Sequence, residues 1–439
     1  MAEIAPFSAL HYDAQAVGGL ERVITQPYDK ISPEMQARYY ELSPYNLARI
    51  IRRRPDPAEQ DPYRAAAADF RGWIERGILR RDTAPALYPY SQEYAVPGGS
   101  GQRRRRSGFI GLVRLEEYSA GVVHRHEQTL SGPKADRMSL LRATRAHFGQ
   151  IFLLYSDPEG VVERELIASM GEAPPSERMT DEYGTRHEVW RVTANEALEH
   201  VRGEMRDRKL VIADGHHRYE TALAYRNSLR AEGQGTQAAD YVMATFVRME
   251  TDGLLILPTH RVVHDVYGYN WESFLVAASS QFEIKELSGN AATQLPAWRR
   301  QLNEAGAGDP AFLAYGGVGR AALLVLRENQ EEAELAGTPP SLAQLDVYIL
   351  HRLLIEGALL ISPQAVREEK NLHYEREAEA AIRAVDEGRA QLCFLLNPTP
   401  IEAVRDSAFA GLVMPQKSTD FYPKLLSGLT IYDVGKTTD

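Results

Sequence analysis

Short apolar runs alternate along this chain with stretches of helical spacing, and the sharpest junction between the two is KLVIADGHHRYETALAYRNSL, residues 209–229. Leu210, Val211, Ile212 and Ala213 form an uninterrupted apolar run, the mark of a buried strand. Asp214-Gly215 is a turn signal. Tyr219, Ala222, Leu223 and Arg226 then recur at helical spacing, so the pattern predicts strand, tight turn, helix. Upstream, residues 4–11 read as a first strand. Ser32-Pro33-Glu34 opens a helix with Ser32 as its cap, and Ser43-Pro44 repeats that signal. Residues 62–78 place Ala67, Phe70, Trp73 and Ile74 on one helical face. Two strand-like runs, 87–96 and 108–115, flank the loop PGGSGQ and predict a hairpin with Arg103 to Arg106 at its tip. GPKADR reads as a polar loop before a helix over 138–146, and IFLLY as a buried strand. Residues 157–188 are polar and rich in Pro, Gly and Glu, a long connection. A helix over 194–206 precedes the central strand; runs at 241–249 and 254–257 follow its helix, and Thr259, His260 and Arg261 end a strand.

From residue 266 the alternation of helix and strand becomes shorter: 271–280, FEIKEL, a helix to Ala305, AFLAY and AALLVL. ENQEEAELAGTPP reads as a linker, 342–360 as one long apolar helix, 378–385 as a helix, and QLCFLL as a strand. In NPTP, Asn397 and Thr399 are placed to cap the next helix. The expected fold class is α+β: a mixed-sheet domain over 1–265 carrying the DGHHR turn, and a smaller α+β domain over 266–439 whose last turn returns to the cleft.

Composition narrows the function classes. The chain has 439 residues and a net charge of -10, which opposes general nucleic-acid binding despite the four consecutive arginines. A single cysteine, Cys393, excludes an intrachain disulfide framework, and its apolar setting makes it a buried structural thiol. There is no basic n-region at the start and no apolar window of about 18 residues, so neither a signal peptide nor a membrane span is expected. The reading is a cytoplasmic protein that takes a small-molecule substrate, with no nucleic-acid or membrane partner.

Candidate chemistry gathers in four places. At the central junction, Gly215, His216, His217 and Arg218 sit where a helix N-terminus attracts anions, with a guanidinium able to grip phosphate through two parallel bonds. Asp214 there either caps the helix or holds a metal or a histidine. The plainer alternative is a tight joint with the histidines packed or solvated. The second place holds His124, His126, Glu127, Lys134, Asp136 and Arg137. Strand alternation would put His124 and His126 on one face, as a metal site needs, yet no HExxH or Cys/His pattern accompanies them. The third is the C-terminal turn with Lys417, Ser418, Thr419 and Lys424, which lacks P-loop spacing but suits a phosphate or carboxylate. Asp29, in the turn Pro27-Tyr28-Asp29, is the fourth.

The stretches PYDKIS, ELSPYNLAR, HEQTLSGPKADRMSLLRATRAHF, IFLLYSD, VIADGHHRYETAL, LPTHRVV, LLNPTP and MPQKSTDFYPKLLSGL resemble, in order, a bacterial and archaeal family of uncharacterised proteins defined as a domain of unknown function. The segment ADGHHRYETA also resembles the phosphate-binding motif of a wider superfamily that includes ParB-type proteins, sulfiredoxins and archaeal free-serine kinases. Gly215, His217 and Arg218 match that motif. His216 stands where sulfiredoxins have their cysteine, which removes peroxiredoxin repair, and the basic DNA-binding helices of ParB are not evident. The resemblance therefore implies a ParB/sulfiredoxin-like first domain and a nucleotide-dependent phosphotransferase acting on a small, serine-like hydroxyl substrate, with ATP or ADP and Mg²⁺ as cofactors. Gly215 to Arg218 would clamp phosphate, Lys134, Arg137, Lys417 and Lys424 would add charge, and Asp29, Glu127 and Asp214 would supply a base or Mg²⁺ ligands. Two further readings stay open: a metal-dependent hydrolase using His124, His126, Asp214 and His216, and a non-catalytic sensor of a nucleotide or phosphorylated metabolite.

Overall fold

The computed structural model describes residues 1–57, 59–99, 101–127, 132–327, 335 and 337–435. The architecture is α+β, in two compact units. The first unit comprises residues 1–125, 129–255 and 423–439; the second comprises 126–128 and 256–422. The chain thus leaves the first unit near Leu255 and rejoins it at Pro423.

The first unit is organised on a nine-stranded mixed sheet: β1 (Ile4–Ala5), β2 (Tyr88–Ala95), β3 (Arg103–Arg114), β4 (Val123–His124), β5 (Ile151–Tyr155), β6 (Glu177–Thr180), β7 (Arg186–Val189), β8 (Leu210–Asp214) and β9 (Tyr241–Arg248). Their order is β4-β8-β5-β9-β3-β2-β7-β6, with β1 beside β3. β4 with β8, and β5 with β9, run parallel; the other pairs are antiparallel. Alternation sorts the side chains. Phe109, Val113, Leu153, Leu210, Ile212, Ala244 and Phe246 join one apolar cluster with Val162, Leu166, Val201 and Met205 from the helices Val161–Met170 and Asn195–Met205. Gln92, Arg106 and Thr245 fall at the alternate positions of their strands and are buried on the other face.

Several sequence expectations change here. The hairpin arginines are not a tip: antiparallel pairing extends to Ala95 opposite Arg103, so all four lie in β3 and alternation turns Arg106 inward to 1% exposure. Residues 157–188 are not a bare connection, because they contain a helix, the edge strand β6 and nearly all of its neighbour β7. Residues 4–11 divide into β1 and a separate strand, Leu10–Tyr12, that pairs Leu79–Arg81. GPKADR is the start of a helix, Gly132–Thr144, rather than a loop. Ser32 caps its helix as expected, accepting from the Met35 N–H, whereas Ser43 accepts from Tyr45 and the next helix begins only at Ala48.

In the second unit β10 (His260–Val263), β11 (Phe282–Glu286), β12 (Ala311–Tyr315), β13 (Ala321–Leu326), β14 (Leu372–Glu375) and β15 (Leu392–Leu395) form a wholly antiparallel sheet, ordered β11-β13-β12-β15-β10-β14. Both faces are apolar. Phe312, Ala314, Leu324 and Phe394 enter one cluster, and Ala311, Leu313, Tyr315, Leu323 and Cys393 the other. His260 and Arg261 begin a strand, with Thr259 just before it, instead of ending one. The long apolar helix divides into Pro340–Ala343, Asp346–Ile349 and a π-helical Leu350–Ala358, in which the Leu359 N–H reaches back to Leu354. Asn397 and Thr399 cap nothing: they donate to the carbonyls of Leu302 and Ser418. The expected linker lies largely outside the described residues.

Candidate functional site

The central junction folds as its pattern predicts: β8 ends at Asp214, Gly215 takes the left-handed conformation at φ 97°, and a helix runs from His216 to Ala231. Glycine is needed there because an L side chain at that φ is strained, and because a Cβ would lie 3.2 Å from the Arg218 guanidinium. Asp214 does not cap the helix. Its Oδ2 accepts from Arg218 at 2.7 Å, and its Oδ1 lies 3.6 Å from the Lys424 ammonium. Lys30 is within electrostatic reach. Burial pushes the Asp214 carboxyl up, but Lys424, Arg218, Lys30 and His216 outweigh it and hold the group well below the usual carboxylate range. Three cations therefore face one carboxylate at the positive end of a long helix.

Two buried side chains fix this arrangement. Arg106 Nε donates to Gln92 Oε1 at 3.0 Å, its Nη2 to the Pro423 carbonyl, and its guanidinium lies 4.6 Å from the centre of the Phe152 ring. Gln92 in turn donates to the Lys424 carbonyl at 3.0 Å. The backbone carrying Lys424 is thus tied down on both sides of that residue's N–H. Arg218 also donates to the Gln150 carbonyl, while Gln150 Oε1 accepts from Thr245 at 2.6 Å.

A cavity of about 70 Å³ opens beside Arg218, with Tyr28, Arg137, Gly149, Thr221 and Ser427 among its walls. That is room for two waters or a phosphate-sized group rather than a whole nucleotide. Thr221 Oγ1 is buried in this wall with no hydrogen-bond partner among the described residues. Arg137 stacks at 4.0 Å over Tyr28 and donates to Asp136 and the Ile51 carbonyl.

The other expected site residues are placed as follows. His216 is buried and His217 half-exposed on the first helical turn. Lys134 pairs with Glu220, and Asp29 is exposed beside Lys30. In the second unit, Glu127 bridges to Met414, Lys417 adopts φ 54°, the Ser418 hydroxyl donates to the Pro415 carbonyl, and Thr419 Oγ1 lies 2.9 Å from His126 Nε2. β4 ends at His124, so strand alternation does not reach His126, and His124 contacts the Gly121 carbonyl instead. Among the described residues no group of three His, Cys, Asp or Glu is gathered to hold a metal ion. Cys393 is fully buried, and burial pushes its thiol up. Sequence reasoning missed Lys30, Gln92, Arg106 and Thr221. Lys30 stood in the quoted PYDKIS stretch; Arg106 was hidden in a run of four arginines whose strand register decides which one turns inward.

A family model described as "Protein of unknown function (DUF1015)" matches residues 4–348. The chain belongs to the DUF1015 family. No curated protein matches this DUF1015 chain. Among solved structures it is similar to a conserved hypothetical protein from Pyrococcus furiosus, at 13% identity and a TM-score of 0.35, over 73% of this chain and 94% of that one. A free serine kinase in complex with AMP gives 13% identity and 0.35, over 73% and 92%. SbnI with a C-terminal truncation, from Staphylococcus aureus, gives 10% and 0.38, over 75% and 90%. No described helix is long and apolar enough to cross a membrane.

Proposed function

We propose that this DUF1015 protein is a nucleotide-dependent phosphotransferase acting on a small, serine-like hydroxyl substrate, with the phosphates held at the start of the His216–Ala231 helix. The observation that carries this reading is the convergence of Arg218 and Lys424 on the ionised carboxylate of Asp214, with Lys30 in electrostatic reach. Such a site gathers positive charge at a helix N-terminus, which is what a phosphoryl group and its spreading negative charge require. The unpaired Thr221 hydroxyl supports a ligand in the adjoining cavity, since a buried polar atom without a partner is costly. A carboxyl held so far down is a weak base, so Asp214 serves to orient the cations. His217, half-exposed on the same turn, is assigned the role of taking the hydroxyl proton.

The residues present do not fit a protein-held Mg²⁺. Both Asp214 oxygens face cations, and among the described residues no group of three His, Cys, Asp or Glu gathers around it to hold a metal ion. The test is calorimetric titration with ATP, ADP and AMP, each with and without EDTA, followed by assay of ATP consumption with serine and other small alcohols. Nucleotide binding that weakens in Lys424→Met supports the phosphate site, and acceptor-dependent ATP consumption supports the transferase. Absence of nucleotide binding overturns both; binding without turnover leaves a nucleotide sensor.

A further inference from the structure

We propose that the first unit carries a second ligand site, on the opposite face of its sheet from Gln92 and Arg106, for an amphipathic anion: an apolar chain or ring ending in a carboxylate or similar acid. A cavity of about 340 Å³ lies there, within the size range of small-molecule sites. The helix Val161–Met170 contributes Leu166, Ile167 and Met170 to it, the sheet contributes Phe109 and Tyr155, and Trp190 follows directly on the end of β7. Ile167 is 54% exposed at the rim, an apolar side chain placed where an entering chain would cover it.

Charge around this cavity decides the second half of the ligand. Register places Arg186, Glu93 and Arg105 in one cross-strand row and Arg178, Glu188, Ser91 and Ser107 in the next. Rows two residues apart share a face, so all these side chains stand on the cavity's side. Glu188 binds Arg186 at 2.6 Å and Arg178 at 2.9 Å, leaving Arg105 at 3.8 Å; Glu93 is taken by Arg103 at 2.8 Å. Two carboxylates thus serve four guanidiniums, and Arg105, which lines the cavity, is the one held most loosely. Among the described residues its guanidinium donates one hydrogen bond, to the Ser91 hydroxyl at 3.2 Å. Arg248, also in the wall, is balanced by Glu163 at 3.1 Å. An apolar floor beside surplus, lightly engaged guanidinium charge is complementary to an anionic amphiphile and repels a cationic one.

The experiment titrates decanoate, decanol and decylamine into the full chain by calorimetry. Decanoate is expected to bind, with decanol weaker and decylamine weaker still. Arg105→Glu, at an exposed position, is expected to weaken decanoate by about tenfold or more, in keeping with loss of a charge-assisted contact, while leaving decanol unchanged. Ser107→Phe, which grows into the cavity from the sheet, is expected to weaken both. Melting curves check that each variant is folded; if Ser107→Phe is not, Arg105→Glu carries the test. No decanoate binding, decanol binding as tightly as decanoate, or decanoate affinity indifferent to Arg105→Glu each overturns the proposal.

Discussion

The most deeply buried arginine described in each unit, Arg106 in the first and Arg261 in the second, is satisfied by similar means to different ends. Arg106, 1% exposed, donates to Gln92 and to the Pro423 carbonyl beneath the Phe152 ring. Arg261, fully buried, donates to the carbonyls of Thr259, Gln416 and Lys417 and lies 5.2 Å from the Tyr374 ring centre. Burial pushes both guanidinium groups down to about 10, so both stay charged at neutral pH. The backbone tied by Arg106 carries Lys424 towards Asp214. The backbone tied by Arg261 includes Lys417, held at a φ of 54° that a side chain disfavours. A buried arginine can serve either as the anchor of a charged site or as the clasp of a strained turn, and what its carbonyl acceptors belong to distinguishes the two.

Replacing these arginines should give the largest effects. Arg106→Met and Arg261→Met each strand carbonyls that are now paired, and a buried acceptor left unsatisfied costs about 1–3 kcal/mol. Chemical denaturation should show a loss of that order in both variants. Calorimetry should show weakened ADP binding in Arg106→Met beyond anything seen in Arg261→Met. Equal loss of ADP affinity in the two would break the comparison.

One histidine of each unit, His11 and His260, should respond to pH in opposite directions. In the first unit His11 contacts Asp82 and Glu177, each at 3.3 Å. Burial pushes its imidazole down, but the two carboxylates carry it up to about 9. Its folded value lies above the unfolded value of about 6.5, so the stabilisation is complete below pH 6.5 and is lost as pH rises through 9. In the second unit His260 accepts from the Leu396 N–H, and burial, helped by Arg299 and Arg261, pushes it down to about 3. The unfolded chain takes up that proton below pH 6.5 while the fold resists it, so stability is lost as pH falls from 6.5 towards 3. Melting of His11→Gln beside the parent should show a deficit at pH 6, about 3 kcal/mol at most, that shrinks by pH 10. For His260→Gln the deficit should instead shrink as the pH is lowered from 7 to 4. A deficit that is flat with pH would remove either histidine from the account.

Arg218→Lys keeps the charge and removes the planar fork. Lysine cannot reproduce the paired contacts to Asp214 and the Gln150 carbonyl, and a hydrogen bond to a charged group contributes about 1.5–3 kcal/mol. ADP affinity should fall about tenfold to a hundredfold. Unchanged affinity would take Arg218 out of the phosphate site; a large drop in melting temperature with no further change in binding would leave it a clasp like Arg261.

The parts of this molecule legible in the sequence are those in which one local pattern decides the structure. Leu210 to Ala213 followed by Asp214-Gly215 admits little except a strand and a turn, and Ser32-Pro33 fixes a helix start. Illegible were features set by pairing at a distance. The side of β3 that Arg106 occupies depends on the register with Tyr88–Ala95, and the strands of 157–188 exist because β2 offers them an edge. The partner of Lys424 is Asp214, 210 positions earlier, and no spacing rule links them. Lys30 reaches the site by the same long-range route, whereas Thr221 lies three residues after Arg218 on the same helix, where helical spacing could have found it.

The smallest effects should come from two glycines with left-handed backbones, and they sharpen the same contrast. Gly215 has φ 97° and Gly388, after the Ala378–Asp386 helix of the second unit, has φ 72°. Alanine at either position should cost about 1–2 kcal/mol in backbone strain. At Gly388 nothing lies within 4 Å of the added Cβ, so strain is the whole effect. At Gly215 the Cβ would sit 3.2 Å from three atoms of the Arg218 guanidinium, tighter than ordinary contact, and that group must shift to admit it. The shift loosens the pairing with Asp214 and moves a wall of the phosphate-sized cavity. Gly215→Ala and Gly388→Ala should therefore lower the melting temperature to a similar extent, while only Gly215→Ala weakens ADP. If both leave ADP affinity intact, the position of Arg218 does not govern the site, and the cations that matter are Lys424 and Lys30 alone.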